Sequence, residues 1–298
     1  MENWELRMVM DFIERLEVRA RVLRDIRGFF DGLGFVEVET PVRIAAPAPE
    51  PHIDCPPSGD MFLRASPELQ MKKLLAAGME RIYQMGPCFR DGESGKRHSP
   101  EFTMLEWYRA NADYMAILRD MEALIRGLWQ TFLSRDVAEF RRLTVRDAYA
   151  EWAGWDPFER FDQDRFDFDM ATKIEPNLTH GAVFLMDYPV EAASLSKVRR
   201  TPGCAPVAER WELYIDGMEL ANAFTELVDP DEQRARFAAA REERRLLGEA
   251  DYPLDEDFLS ALAAMPPSGG VALGVDRLVM LCCSAPSIAD VKMVDAGA

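Results

Sequence analysis

Arg90, Phe102, Glu106 and Tyr108 are the residues whose types and spacing first suggest chemistry in this chain. They lie in Phe89–Tyr108, FRDGESGKRHSPEFTMLEWY, which reads as a strand, a polar loop over Asp91–Pro100, and a second strand. Side chains alternate along a strand, so Phe102, Met104, Glu106 and Tyr108 point one way, and Thr103, Leu105 and Trp107 the other. One face therefore carries a guanidinium, a flat ring, and an acid beside a phenol. That set suits a ligand with an anion at one end, a planar base in the middle and a cation at the other. The same pattern also fits a plain antiparallel hairpin with a solvated turn.

A second hairpin is written in Trp211–Leu227, WELYIDGMELANAFTEL, where Asp216-Gly217 is a strong two-residue turn signal. That turn pairs Ile215 with Met218, Tyr214 with Glu219 and Glu212 with Ala221. Glu212 and Glu219 then share a face as diagonal neighbours, roughly 7–8 Å apart at Cα. Two carboxylates so placed could share Mg²⁺ bridged by phosphate oxygens, or simply face solvent at a hairpin end. Asn222, Phe224 and Glu226 alternate onto the opposite face. If all five serve one pocket, a bulge or strong twist near Ala221 is required.

Ser268–Arg277 is a strand edge whose glycines either admit a ligand close to the backbone or serve packing. Arg277 follows at the start of a helix, where its charge opposes the macrodipole. An anionic partner explains an arginine there better than the helix does.

The elements that must position these residues read as follows. Glu5–Phe30 has apolar residues at helical spacing and ends at Gly32 and Gly34. Phe35–Pro41 is a strand stopped by proline, and Ala45–Pro57, with five prolines, is a loop. Met61–Arg64 is a short strand. Ser66 caps a helix running to Ala77, with Pro67 at its first position. Ile82–Arg90 enters the first hairpin. Asp113–Leu133 and Thr144–Ala153 are helices, Trp155–Asp169 a surface insertion and Val183–Tyr188 a strand. Ala192–Ala208 reads as a mobile loop. Asp229-Pro230 opens a charged helix to Leu247. Most pairings are antiparallel, without repeats or linkers, so residues 1–298 are expected to form a single α+β domain.

Composition sets the outer bounds. The chain has 35 basic and 52 acidic side chains, a net charge of −17, which argues against broad binding to a phosphate backbone. A small phosphorylated ligand in a locally basic pocket remains compatible with it. No apolar run approaches the roughly 18 residues of a membrane span, and the charged N-terminus lacks a signal-peptide core. Five cysteines without a CxxC pair suggest thiols in a reducing compartment. A cytoplasmic location is expected.

Taken together these stretches resemble class II aminoacyl-tRNA synthetases of the lysyl branch. Gly34–Pro41 resembles motif 1, the dimer-forming element; Phe89–Tyr108 resembles motif 2; Gly270–Arg277 resembles motif 3. The likeness runs from about Arg19 to the C-terminus and is weakest over 138–210. It implies an antiparallel sheet flanked by helices, a homodimer, and ATP with Mg²⁺. It further implies that Arg90 contacts the α-phosphate and the carboxylate, and that Glu93 and His98 hold the nucleotide. Phe102 would stack on adenine, with Arg277 on its other face, and Glu212 and Glu219 would hold Mg²⁺. Glu68, Glu106, Tyr108, Asn222, Phe224 and Glu226 would line the pocket for a lysine-like amino acid. Three of those six are acids, which suits an ammonium.

Two departures narrow the likeness. The chain begins almost at the motif 1 helix, leaving no room for an anticodon-binding OB domain. The pocket glycine of lysyl-tRNA synthetases is here Ala221, as in the truncated paralogues that ligate (R)-β-lysine to elongation factor P. Ala223, where glycine is usual, departs from both. The resemblance thus implies an ATP-dependent ligase with elongation factor P as acceptor rather than tRNA. A lysyl-tRNA synthetase-like enzyme and a catalytically silent paralogue are the alternatives.

Overall fold

A computed structural model describes residues 10–134 and 139–294. Helix α1 (Phe12–Gly32) starts where Asp11 accepts from the Glu14 amide and Glu14 returns the bond, a reciprocal cap of the kind that stabilises a helix start by about 1 kcal/mol. The expected start at Glu5 is corrected to Phe12; residues 5–9 lie outside the described residues. Val18, Val22, Ile26 and Phe30 form its buried stripe, at the i, i+4 spacing of one helix face. Of Phe35–Pro41 only β1 (Val36–Glu37) pairs as a strand; beyond it the Val38 amide makes one more bond, to the Tyr83 carbonyl, and the Thr40 amide turns to the Gln84 side chain. β2 (Arg43–Ile44), β3 (Pro57–Ser58) and β4 (Met61–Leu63) make a small separate sheet. The buried Arg64 then donates to the Thr40 carbonyl at 2.9 Å and the Pro87 carbonyl at 3.3 Å, tying the proline-ended segment to the first hairpin.

Helix α2 (Glu68–Ala76) follows, with Ser66 Oγ accepting from the Glu68 amide at 2.9 Å. β5 (Arg81–Phe89) and β6 (Glu101–Ala110) are the arms of the first hairpin. Helix α3 (Tyr114–Leu133) is capped by Asp113, as its sequence predicts. β7 (Phe140–Thr144), which sequence reading passes over, precedes α4 (Val145–Ala148) and a π-turn over Tyr149–Ala153. α5 (Gln163–Asp169) lies inside the expected surface insertion.

That expectation is corrected. Tyr149 stacks on Phe166 at 4.9 Å, donates to its carbonyl at 2.7 Å, and packs with Val183, Leu185 and Tyr214. The segment covers one end of the sheet. β8 (Ala182–Tyr188) matches expectation, but Ala192–Ala208 is corrected from a loop to a pinned edge. There β9 (Val198–Arg199) pairs with Val207 and Ala208, and the Lys197 amide donates to the Thr225 carbonyl at 2.7 Å. β10 (Val207–Ile215) and β11 (Met218–Thr225) form the second hairpin. α6 (Pro230–Leu247), capped by Asp229, is followed by α7 (Glu256–Leu262), β12 (Ser268–Gly274) and α8 (Val275–Cys283).

The main sheet runs β1-β5-β6-β12-β11-β10-β8-β7, with β9 beside β10. Only the β1–β5 and β7–β8 pairs are parallel. The fold is α+β, as expected. Helices α1, α3 and α8 cover one face through Leu105, Trp107, Trp211, Leu213 and Val271. Burying a side chain of this size stabilises by roughly 1.5–3 kcal/mol. The other face is left for the site. Among the described residues no helix is long and apolar enough to cross a membrane, and no cysteine forms a disulfide.

Candidate active site

The glycine-rich strand lies between the two hairpins, and register alone builds a trough. β12 places Gly270 beside Tyr108, Ala272 beside Glu106 and Gly274 beside Met104. On its other edge Gly270 meets Phe224 and Ala272 meets Asn222. β10 adds Arg210 beside Phe224 and Glu212 beside Asn222. The rows across the sheet are therefore Tyr108–Gly270–Phe224–Arg210 and Glu106–Ala272–Asn222–Glu212. The floor is glycine and alanine; the walls are long polar side chains. With strands about 4.8 Å apart, the walls on β6 and β11 stand roughly 10 Å apart, room for a flat base or an extended aliphatic chain.

All fourteen expected residues line one cavity of about 360 Å³: Glu68, Arg90, Glu93, His98, Phe102, Glu106, Tyr108, Glu212, Glu219, Ala221, Asn222, Phe224, Glu226 and Arg277. A β-bulge between Leu213 and Tyr214 makes this possible. The extra residue, Leu220, breaks the strict alternation and so brings Glu219 onto the same face as Asn222 and Phe224. The expected pairing of Glu212 with Ala221 is corrected to Glu212 with Asn222.

The residues expected to hold a nucleotide stand together. Arg90 reaches Glu93 at 3.5 Å, and its guanidinium lies 5.2 Å from the Phe102 ring centre. Its buried Nε has no hydrogen-bond partner. Arg277 donates to the Arg97 and Glu219 carbonyls at 3.1 and 2.9 Å, and its Nη2 lies 2.7 Å from His98 Nε2. A guanidinium can only donate, so Nε2 accepts and the ring proton sits on Nδ1. Burial, and then the Arg277 charge, hold the His98 pKa below its usual value, in keeping with that neutral ring. The guanidinium over Phe102 in this structure is that of Arg90, while Arg277 is turned toward His98. Asp276 binds the Thr103 amide at 2.9 Å and Arg19 at 2.7 Å, locking α8 to β6 and α1 beside this cluster.

Glu212 and Glu219 offer oxygen ligands of the kind Mg²⁺ takes. Glu219 is pushed up by burial and then by the Glu212 charge, and drawn back by Arg277 and Arg90. Two mutually repelling carboxylates fit a divalent cation. No group of three or more His, Cys, Asp or Glu side chains suited to a metal occurs among the described residues.

At the other end Glu106 accepts from Ser66 Oγ at 2.6 Å and Tyr108 Oη at 2.8 Å. Burial and then Glu68 push its pKa up to about 7. Sequence reading missed Lys72, which is fully buried and stands 2.5 Å from both Glu68 and Glu226. Burial opposes its charge, but Glu226 and Glu68 outweigh burial and raise its pKa. Sequence reading also missed Arg210, which donates to Asn222 Oδ1 at 3.1 Å and Glu212 at 2.5 Å. Glu50 was missed as well, a cavity-lining acid whose pKa is raised by burial and then Glu68. The i, i+4 spacing of Glu68 and Lys72 was a visible signal; nothing in the sequence marked the other two.

The glycines of β12 prove to serve packing in part. A Cβ on Gly270 would stand 2.3 Å from Glu226 Oε1 and from the Tyr108 ring, and one on Gly269 would stand 2.7 Å from the Asp113 carbonyl. Gly270→Ala is expected to cost about 1–3 kcal/mol by overpacking. It should also weaken a ligand bound beside Tyr108 and Glu226 more than one bound beside Arg90 and Phe102, because Tyr108 and Glu226 must move. Thermal unfolding with ligand-binding measurements checks both; an unmoved melting point would show that the two side chains yield freely.

A largely antiparallel sheet with two hairpins astride a glycine-rich strand is the class II synthetase architecture. The sequence profile described as tRNA synthetases class II (D, K and N) matches residues 6–294, and the chain belongs to that family. It is 36% identical over 314 residues to the elongation factor P–(R)-β-lysine ligase of Proteus mirabilis, covering 94% of each chain. To the ligase of the same name from Vibrio cholerae it is 37% identical over 303 residues, 90% of this chain and 91% of the relative. To the lysine–tRNA ligase of Moorella thermoacetica it is 37% identical over 311 residues, 92% of this chain. The chain spans only 63% of that relative's length.

Proposed function

We propose that the chain is an AMP-forming ligase that activates a lysine-like amino acid, (R)-β-lysine foremost, and passes it to a lysine ε-amine of elongation factor P. The observation that carries this reading is one cavity holding the Arg90 guanidinium, its Nε unspent, at one end and the acids around Tyr108 at the other. A substrate carboxylate attacks the α-phosphorus of ATP, and pyrophosphate leaves. The acceptor amine then attacks the acyl carbon, loses a proton, and AMP leaves. Arg90 neutralises charge at the reacting phosphate, Phe102 offers a face to adenine, and Glu93, His98 and Arg277 hold the nucleotide. Positioning and charge neutralisation supply such a reaction's rate, so no histidine base is required. Bound Mg²⁺ on Glu212 and Glu219 would neutralise phosphate charge.

Glu68, Glu106, Tyr108, Asn222, Phe224 and Glu226 form the amino-acid end, with Ala221 in its wall as in the ligase paralogues. Exposed Leu33 and Val36 at the β1 edge support a homodimer. Mass spectrometry of elongation factor P after incubation with the protein, ATP and each candidate amino acid tests the reading. One added lysine-type residue supports it. The 37% identity to a lysine–tRNA ligase favours one other reading, acylation of tRNA. Charging of purified tRNA-Lys without transfer to elongation factor P would establish that reading instead.

The raised Glu106 gives a pH prediction. Below about 7 its carboxyl is protonated and offers an ammonium no charge. The KM for the amino acid should therefore fall as pH rises through about 7, by up to about tenfold per pH unit for a single controlling proton. Amino-acid-dependent pyrophosphate exchange across pH 6 to 8 checks this. Glu106→Gln should flatten the profile.

A further inference from the structure

A second cavity, of about 280 Å³, is lined by α6, by residues 49–51 of the proline-rich segment between β2 and β3, and by residues 190–195 after β8. Glu50 lines both this cavity and the central one, so the two are neighbours. Two arginines of α6 hold its walls. Arg244, 0% exposed, donates to the Glu50 carbonyl at 2.9 Å and the Ile53 carbonyl at 3.0 Å. Arg236 donates to the Ser194 carbonyl at 2.7 Å and the Ser196 carbonyl at 2.8 Å, and also engages Glu232. The same helix presents Gln233, Phe237 and Ala240 to the cavity, at the spacing of one helix face. Each wall is fixed by charge-assisted bonds to backbone, so the gap between them is part of the built structure.

The lining has three kinds of surface. Its floor is apolar, with Leu195 and Phe237 buried. Its rim is acidic, with Glu191 and Glu243 exposed, and among the described residues neither forms an ion pair. Between them stands Gln233, 0% exposed, whose Nε2 and Oε1 both lack a hydrogen-bond partner. A buried polar group left unpaired costs about 1–3 kcal/mol. A side-chain amide offers donors and an acceptor at once, the complement of a peptide group. An apolar floor under an acidic rim suits a lysine or arginine, which lays its stem on apolar surface and keeps its charge in water. The same carboxylates repel a phosphate backbone. The volume lies below the roughly 300–1,000 Å³ of a drug-sized ligand's pocket, and so fits one long residue of a polypeptide.

We propose that this cavity is a docking site for a lysine- or arginine-bearing segment of the acceptor polypeptide. The basic side chain lies over Leu195 and Phe237 with its charge at Glu191 and Glu243, and a peptide group meets Gln233. The target lysine of the same polypeptide enters the neighbouring central cavity. This rests on the ligase reading above and deepens it by naming where the acceptor protein is held.

The test compares three reactions of the full chain and its variants: amino-acid-dependent pyrophosphate exchange, capture of the activated amino acid by hydroxylamine, and transfer to elongation factor P. Only the third uses the second cavity. Glu191→Lys/Glu243→Lys should raise the KM for elongation factor P by about tenfold or more, because like charges then face each other, and leave the first two reactions unchanged. Ala240→Leu, which fills the cavity from α6, should do the same. Gln233→Leu should leave the melting temperature unchanged or raise it, since an unpaired amide is removed, and should weaken transfer alone. Unchanged transfer in these variants, or equal losses in all three reactions, would overturn the assignment while the ligase reading stands. So would a Gln233→Leu variant that loses stability with transfer intact, which would mark the amide's partner as a structural water. Wild type that forms the hydroxamate but charges tRNA-Lys in place of elongation factor P would overturn both.

Discussion

Arg90→Ala should lower amino-acid-dependent pyrophosphate exchange by at least roughly 10²–10³-fold, the scale on which removal of a preorganised charge-stabilising donor acts. Few internal contacts depend on this side chain. It makes a long approach to Glu93 and a ring contact with Phe102, and it stays 28% exposed. Its Nε is buried with no partner. A guanidinium kept in that state contributes little to the fold and has donors in reserve for an anion, so the melting temperature of the variant should stay within a degree or two of wild type by the usual surface range of about ±0.5 kcal/mol. Arg90→Lys is the informative companion. It keeps the charge but loses the planar fork, so it should restore ATP binding more than turnover. Wild-type exchange in Arg90→Ala would remove Arg90 from the reaction altogether.

Lys72→Met should have the largest effect on stability, about 3–5 kcal/mol, because it leaves Glu68 and Glu226 facing each other without a counter-charge. Lys72 is 0% exposed and Glu226 1%. Burial and Glu68 already push Glu226 up to about 8 against the pull of Lys72. Without Lys72 at least one of the two acids must take a proton. The sign is fixed: a carboxyl raised by folding costs stability above its unfolded pKa, so the variant should lose more stability as pH rises. The double variant Lys72→Met/Glu226→Gln removes one acid with the lysine and should recover a large part of the loss, a coupling that only contacting residues show. Thermal melts at two pH values read all of this. Additive losses in the double variant would mean that the three groups do not act as a network.

The legible parts of this molecule were those with local causes. Alternation in Phe102–Tyr108 assigned faces because a strand has a fixed period, and Asp216-Gly217 marked a turn because few residues accept its dihedrals; both residues have positive φ here. Asp113 and Asp229 announced helices through side-chain acceptors two or three residues from the amides they satisfy. What escaped had distant causes. Glu50 is placed by Arg244, 194 residues away in sequence. Lys72 reads as an ordinary exposed i, i+4 pair with Glu68 until Glu226 closes over it. Ala192–Ala208 has a loop's composition, yet its backbone finds partners in Thr225, Leu227 and β10. The aromatic residues of Trp155–Asp169 looked like an insertion because their packing partners, Tyr149, Val183 and Tyr214, sit on other elements. The fourteen site residues came from the motif likeness together with face assignment. The bulge that unites them was foreseen as a requirement near Ala221, and the register shifts there, between the Leu213–Ala221 and Tyr214–Glu219 pairs.

The glycine- and alanine-lined strand at the bottom of the trough has an evolutionary consequence. It carries no side chain long enough to choose between ligands, so discrimination hangs from the two flanking hairpins. Each hairpin turns through its own loop, Asp91–Pro100 in one and Asp216-Gly217 in the other, and each can change side chains without altering the backbone between them. A lineage built on this scaffold can trade one ligand for another by point substitution along the rims, while the shared strand keeps the floor of the trough unchanged.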